Sequence, residues 1–466
     1  MKHATGFRCT RLARALFWIS FVAVFLAPFK ECHSAELCKT FLYRIGGALL
    51  SPGDELYLAK YNVILCNRFH YDNIKNNTWK TIKTLNPGVE IYLYIIPSFV
   101  YESHDSYSVV ALNDLGRYGN ARGHPMGDLN DSNPDLFLLD AMGQRIHPDG
   151  NSDCYFLDFG SPKFQKYVLE ALGNDIVNQR WRADGIFVDD AISTPVGMPS
   201  AAIYATTPAW VDATNSYVVA LTQGLDGSRQ KCAVNRGNTR WSDGCNAWIA
   251  LDASSHPPAA VLEEGAFAVG WGYGDVQFFP ESDWKNQVDL LANIHHSKVL
   301  YLSHCKLGSK DASGKDNYNK PFTFWDAFYY SLGSFLLGRN DADDNSYFEM
   351  NYSMSYSKVD YYYDEYDKIH LGRSEAAYKI TKVNGVNVYS REFDYGYVFV
   401  NPTGSDVARL DLPGPCKLVQ HANLDTPPSQ MQTISSLPLP AHRSVFVYKV
   451  SSLPATVGPP VNLRVY

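Results

Sequence analysis

Trp181-Arg182-Ala183-Asp184-Gly185-Ile186-Phe187-Val188-Asp189-Asp190 is the stretch whose reading decides the fold. A helix-like segment at 164–180 runs into a short apolar run that closes on two acids. That pattern predicts a buried parallel strand delivering carboxylates at its C-terminal end, where α/β barrels keep their chemistry. An isolated Asp-Asp could equally open a loop or cap the next helix. The same pattern recurs along this chain, and the recurrence carries the argument.

Upstream, 61–66 is an apolar run closed by Asn67, 72–85 has helical character, and 89–96 reads as a second strand. A long segment rich in Gly, Asn and Asp (101–133) reads as a loop, 135–147 as a hairpin, and 155–157 as a third strand ending in Asp158. Residues 185–189 then make strand four. Downstream, 231–234, 259–262, 298–302 and 346–350 supply strands five to eight, with helical segments at 210–225, 284–295 and 324–337. Eight strand-helix alternations predict a closed α/β fold, the (β/α)8 TIM barrel, over residues 36–375. Short strand-like runs between 376 and 450 predict a small C-terminal antiparallel β-sandwich, followed by a Pro-rich tail at 451–466.

Polar residues follow nearly every predicted strand: Asn67, Asp158, Asp189 with Asp190, Asn235 with Arg236, Glu263 with Glu264, His304 and Glu349. Their recurrence predicts one convergent substrate pocket at the C-terminal face. Cleaving an acetal needs one carboxylate to attack or stabilise the developing oxocarbenium carbon and one carboxyl to protonate the leaving oxygen. Asp189 is the nucleophile or base candidate, and Glu263 or Glu264 the acid. Parity with strand four favours Glu263, whereas the following Gly265 favours Glu264, so both remain candidates. Trp241 after strand five and Trp271 after strand six are candidate stacking surfaces for sugar rings; the plainer account is that they pack the loops down.

Arg8, Arg11 and Arg14 precede an apolar run at 15–29 and a polar stretch to Ala35, the layout of an export signal over residues 1–35. The body is therefore expected outside the cytoplasm, as a secreted, periplasmic or cell-surface protein, with a membrane tether if the segment stays uncleaved. The 41 basic and 48 acidic residues give a formal charge of -7 without a basic block, which argues against a nucleic-acid partner. Nine cysteines lack Cys-x-x-Cys spacing, so no structural zinc site, metal or other cofactor is expected. Cys232 and Cys245 are the closest pair in the mature chain and are read as a bridge or as buried free thiols. Asn76, Asn130 and Asn351 open glycosylation sequons.

Leu157-Asp158-Phe159-Gly160-Ser161-Pro162, Asp184-Gly185-Ile186-Phe187-Val188-Asp189-Asp190, Val261-Leu262-Glu263-Glu264-Gly265 and Tyr397-Val398-Phe399-Val400-Asn401-Pro402 occur in this order. Together they resemble the hypothetical glycoside hydrolase-like family fifteen, barrel proteins related to the α-galactosidase and endo-galactosaminidase types. The resemblance implies a glycosidase barrel with an Asp after strand four and a Glu after strand six. Such families commonly show a single Glu before Gly, so the doubled Glu leaves that position open here. The expected function is an exported glycoside hydrolase with a carbohydrate substrate. The alternative is an inactive glycan-binding barrel, because a fold does not by itself settle an activity.

Overall fold

A computed structural model of the chain describes residues 37–45, 50–51, 53–67, 78–101, 134–147, 154–177, 183–191, 204, 207–270, 276–294, 299–307, 313–341, 344–352 and 359–453. The expected export segment lies outside them, as does the C-terminal tail beyond residue 453.

Eight parallel strands close into a barrel: β1 (Lys39–Arg44), β2 (Val63–Asn67), β3 (Glu90–Ile95), β4 (Gly185–Val188), β5 (Lys231–Asn235), β6 (Ala260–Val269), β7 (Leu300–Lys306) and β8 (Ser346–Asn351). Each pairs with the next, and β8 returns to β1 through Lys39 opposite Tyr347 and Thr40 opposite Phe348. The helices alternate with them: α1 (Asp54–Leu58), α2 (Thr78–Leu85), α3 (Pro162–Val177), α4 (Thr207–Asp226), α5 (Ser242–Asp252), α6 (Glu281–Asn293), α7 (Phe324–Gly338) and α8 (Asp364–Lys368). The barrel strands are apolar and buried on both faces, as a parallel sheet enclosed by helices demands.

The strand count matches the sequence reading although two assignments differ. The first barrel strand is Lys39–Arg44, just past the expected export segment, where two polar residues obscure a short apolar run. The expected third strand instead forms an antiparallel pair outside the barrel, Cys154–Phe156 against Phe99–Tyr101. One strand overlooked and one counted in excess, both before residue 185, leave Gly185–Val188 as strand four.

Gly185 opens β4 because β5 passes too close for a side chain. A Cβ at that position would stand 2.1 Å from the Lys231 carbonyl oxygen. The β4 strand that carries Asp189 is thereby held tight against the β5 strand that carries Asn235.

The antiparallel C-terminal module is one six-stranded sheet curled over a small core of its own. Its strands are β9 (Lys379–Val383), β10 (Val386–Phe393), β11 (Gly396–Asn401), β12 (Val407–Val419), β13 (Thr433–Leu439) and β14 (Arg443–Lys449), in the order β9-β10-β11-β14-β12-β13. Asn384-Gly385 turns the first hairpin with positive φ at both residues, as a tight hairpin requires. Pro413 interrupts β12 without ending it; the pairing to β13 shifts register between Asp411 and Cys416. Helix α7 is buried on every side because this sheet covers its outer face. A Cβ at Gly333 would meet Ser444 of β14 at 2.7 Å, and Arg391 of β10 donates to the carbonyls of Leu336, Leu337 and Arg339 at the end of α7. Thr323 and Asp326 form a capping box at its start.

Gly185→Ala should force β4 away from β5 and lower stability by about 2 kcal/mol or more, within the range for overpacked cores. Chemical unfolding of the purified variant checks this, and an unchanged midpoint would show that the approach is not a constraint.

Candidate active site

The ends of β3, β4, β5 and β6 bring four side chains together at the barrel mouth. Asp189 follows β4 directly and is 7% exposed. Its Oδ1 accepts Asn235 Nδ2 at 2.8 Å and the Asp190 backbone N–H at 2.9 Å. Its Oδ2 accepts the Tyr94 hydroxyl from β3 at 2.6 Å and, more weakly, the Tyr43 hydroxyl from β1 at 3.4 Å. Asn235 spends its second amide hydrogen on Glu264 Oε2 at 2.9 Å. One buried amide nitrogen therefore joins the strand-four and strand-six carboxylates.

This arrangement separates the two glutamates. Residues alternate faces along a strand, so neighbours point opposite ways. Glu264 shares Asn235 with Asp189. Glu263 points back into the helix layer, where its Oε2 accepts the Thr239 backbone N–H at 3.0 Å and its Oε1 faces Gln287 Nε2 of α6 at 3.4 Å. The strand then bulges: Gly265 and Phe267 take positive φ before Ala268 and Val269 resume pairing.

Electrostatics follow from crowding three carboxyls in a buried mouth. Burial first, and then the charge of Glu264, push Asp189 up to about 6, against the hydrogen bonds from Tyr94, Asn235 and Asp190 that favour its ionised form. Asp190, in the left-handed region at φ 55°, is pushed well above the ordinary carboxylate range by burial and by Asp189 and Glu264. Glu263 is pushed up to about 7, chiefly by burial.

The remaining expected residues are placed as follows. His304 and Glu349 are fully buried and bonded to each other, Nδ1 to Oε2 at 2.6 Å, one layer below the mouth. Glu349 Oε1 also accepts the Tyr43 backbone N–H at 3.0 Å. Arg236 turns away from the mouth and grips α4 through Thr214 Oγ1 at 2.8 Å and Asn215 Oδ1 at 2.6 Å. Asp158 lies in the turn before α3, where it accepts the Gly160 N–H at 3.0 Å and the Tyr204 hydroxyl. Trp241 is partly exposed before α5, with the Arg240 guanidinium 4.1 Å from its ring centre, so one ring face is already covered. Trp271 lies outside the described residues, and the Asn67 side chain is likewise not described.

Three mouth residues have no counterpart among the sequence candidates: Tyr43, Tyr94 and Lys306. Tyr94 could have been found, since Ile91-Tyr92-Leu93-Tyr94-Ile95 alternates and puts Tyr94 near the strand end. Tyr43 sits in the overlooked first strand. Cys232 and Cys245 are both free thiols, as are Cys38, Cys66, Cys305 and Cys416. Asn351 is fully buried, which closes its sequon to glycosylation.

A closed (β/α)8 barrel with buried acids at the C-terminal ends of its strands is an architecture that glycosidases use, although the fold alone does not fix an activity. The model of hypothetical glycosyl hydrolase family 15 matches residues 83–397. The chain belongs to that family, and glycosidase-type function comes with the membership. A comparison with the curated proteins finds no match. Among solved structures, a trehalulose synthase variant in complex with Tris shares 11% identity over 88% of this chain and 98% of its own, with a TM-score of 0.47. The isomaltulose synthase SmuA from Protaminobacter rubrum shares 11% over 88% and 97%, at 0.41. Ega3 from Aspergillus fumigatus, in complex with galactosamine, shares 10% over 70% and 94%, at 0.37. Likenesses this distant carry no argument about the site, and the barrel rests on its own strand pairing.

Glu263 gives a pH test of this placement. A carboxyl whose folded-state pKa is raised stabilises the fold fully below its unfolded value, near 4.5, and loses that contribution as pH rises through about 7. The loss amounts to about 3 kcal/mol. Glu263→Gln resembles the protonated acid and escapes it, so its melting temperature should gain on the unaltered protein between pH 5 and pH 8. A pH-independent difference in melting temperature would rule out a buried Glu263.

Proposed function

We propose that the protein is an exported glycoside hydrolase that cleaves a poly- or oligosaccharide by a retaining, double-displacement route, with Asp189 as nucleophile and Glu264 as acid and base. The observation that carries this reading is the Asn235 amide shared by the two carboxylates. Two hydrogens on one planar nitrogen diverge by about 120°, which sets the accepting oxygens roughly 5 Å apart. Retaining glycosidases hold their carboxyl groups at ~5–5.5 Å, whereas inverting enzymes need about 6.5–9.5 Å to admit a water.

In the first step the protonated Glu264 gives its proton to the leaving glycosidic oxygen as an Asp189 oxygen bonds to the anomeric carbon. In the second, Glu264 takes a proton from water, whose oxygen attacks that carbon and releases Asp189. Donors from Tyr94, Asn235 and the Asp190 backbone fix the Asp189 carboxylate, so little reorganisation is left for the moment of reaction. Among the described residues the buried Asn235 Oδ1 has no donor, and a substrate hydroxyl would supply one. The arginines and apolar run before Ala35 support export.

Asp189→Asn should lose turnover at least about a hundredfold while keeping polysaccharide binding. Because burial and Glu264 push Asp189 up to about 6, the unaltered protein should lose activity as pH falls through that value and the nucleophile protonates. Reducing-sugar release across a polysaccharide panel, followed by NMR of the first-formed anomer, checks both. Binding without release at any pH would point to a glycan-binding barrel, and an inverted product would contradict the retaining route.

A further inference from the structure

Lys306 closes β7 and is 2% exposed. The pairing of β7 with β8 is unbroken from Tyr301 opposite Ser346 to Lys306 opposite Asn351, so the two-residue period holds through the strand. His304 lies opposite Glu264 in the β6 register and turns inward to Glu349. Lys306, two residues on, faces the same way one layer nearer the mouth. On the other side of the pair, β6 bulges between Glu264 and Val269, and the Gly270 N–H donates to the Lys306 carbonyl at 2.7 Å. Lys306 therefore follows, on the same inward face of β7, the residue that pairs with Glu264.

We propose that Lys306 is a positioning residue for cleavage, its ammonium serving as the counter-charge of Glu264. The inference rests on the acid and base role proposed for Glu264. Around the pair stand Asp189 and Asp190 from the end of β4, Tyr94 from β3, Glu263 on the reverse face of β6, and the His304–Glu349 pair below. Four of these are carboxyls and one is an imidazole, so among the described residues Lys306 adds an ammonium to a predominantly acidic group. Burial lowers the proton affinity of Lys306, and the charge of Glu264 opposes that effect. The reaction needs such a group at a definite moment. Once Asp189 is esterified, Glu264 must act as a carboxylate to take a proton from water, and an ammonium on the same side of the barrel is the complement of that charge.

The coupling can be read without a substrate. In full-length protein labelled with carbon-13 at lysine Cε, the Lys306 resonance is identified by its absence from Lys306→Arg, a variant that keeps the positive charge. Its titration midpoint should lie below the ordinary lysine value of about 10.4. In Glu264→Gln it should fall further. A midpoint unmoved by Glu264→Gln would overturn the proposal, as would an ordinary midpoint in the unaltered protein. Lys306→Met should then lower turnover about tenfold or more, with Lys306→Arg recovering most of it; equal loss in both variants would reduce Lys306 to packing. Full turnover in Glu264→Gln would sink the acid and base assignment itself, and that result is separate from the lysine titration.

Discussion

The Asn235 side chain stands between two carboxylates that would otherwise repel each other in a buried space. Its amide nitrogen, 2.8 Å from Asp189 Oδ1 and 2.9 Å from Glu264 Oε2, sets how far apart those groups sit. A buried carboxylate without donors would cost several kcal/mol. Asp189 has four donors, from Asn235, Asp190, Tyr94 and Tyr43. Much of the surrounding architecture serves that contact. Gly185 lets β4 and β5 approach closely, Arg236 ties the end of β5 to α4, and the curled sheet buries the outer face of α7.

The doubled glutamate shows how one strand can divide its polar residues between two tasks. Glu264 faces the barrel axis and meets the amide, whereas Glu263 faces the helices and is held by Thr239 and Gln287. The first sits where charge can do chemistry. The second is a buried carboxyl whose cost rises with pH, and its surroundings offer two donors to limit that cost.

Much of the barrel was legible because its strands are short apolar runs that end in polar residues, a pattern with a direct physical cause. Gly185-Ile186-Phe187-Val188-Asp189 announced both a buried strand and the place of its acid. The first strand was not legible, since Lys39 and Thr40 open it and leave only a short apolar run behind them. Tyr155-Phe156-Leu157 looked like a barrel strand because three apolar residues between loops carry no information about their partner. The choice between Glu263 and Glu264 depended on the register of β6 against β5, where Leu262 lies opposite Asn235. Register is a property of pairing, and strand parity within one segment could not supply it. His304 and Glu349 were expected at strand ends, whereas their strands run on to Lys306 and Asn351 and the two side chains are buried and bonded to each other.

The most direct measurement is reducing-sugar release by Glu264→Gln and Glu263→Gln beside the unaltered protein, on the polysaccharide that the unaltered protein degrades best. Loss of about a hundredfold or more at position 264, with activity retained at 263, is the result predicted for an acid and base held through Asn235. Activity retained at 264 and lost at 263 would contradict it.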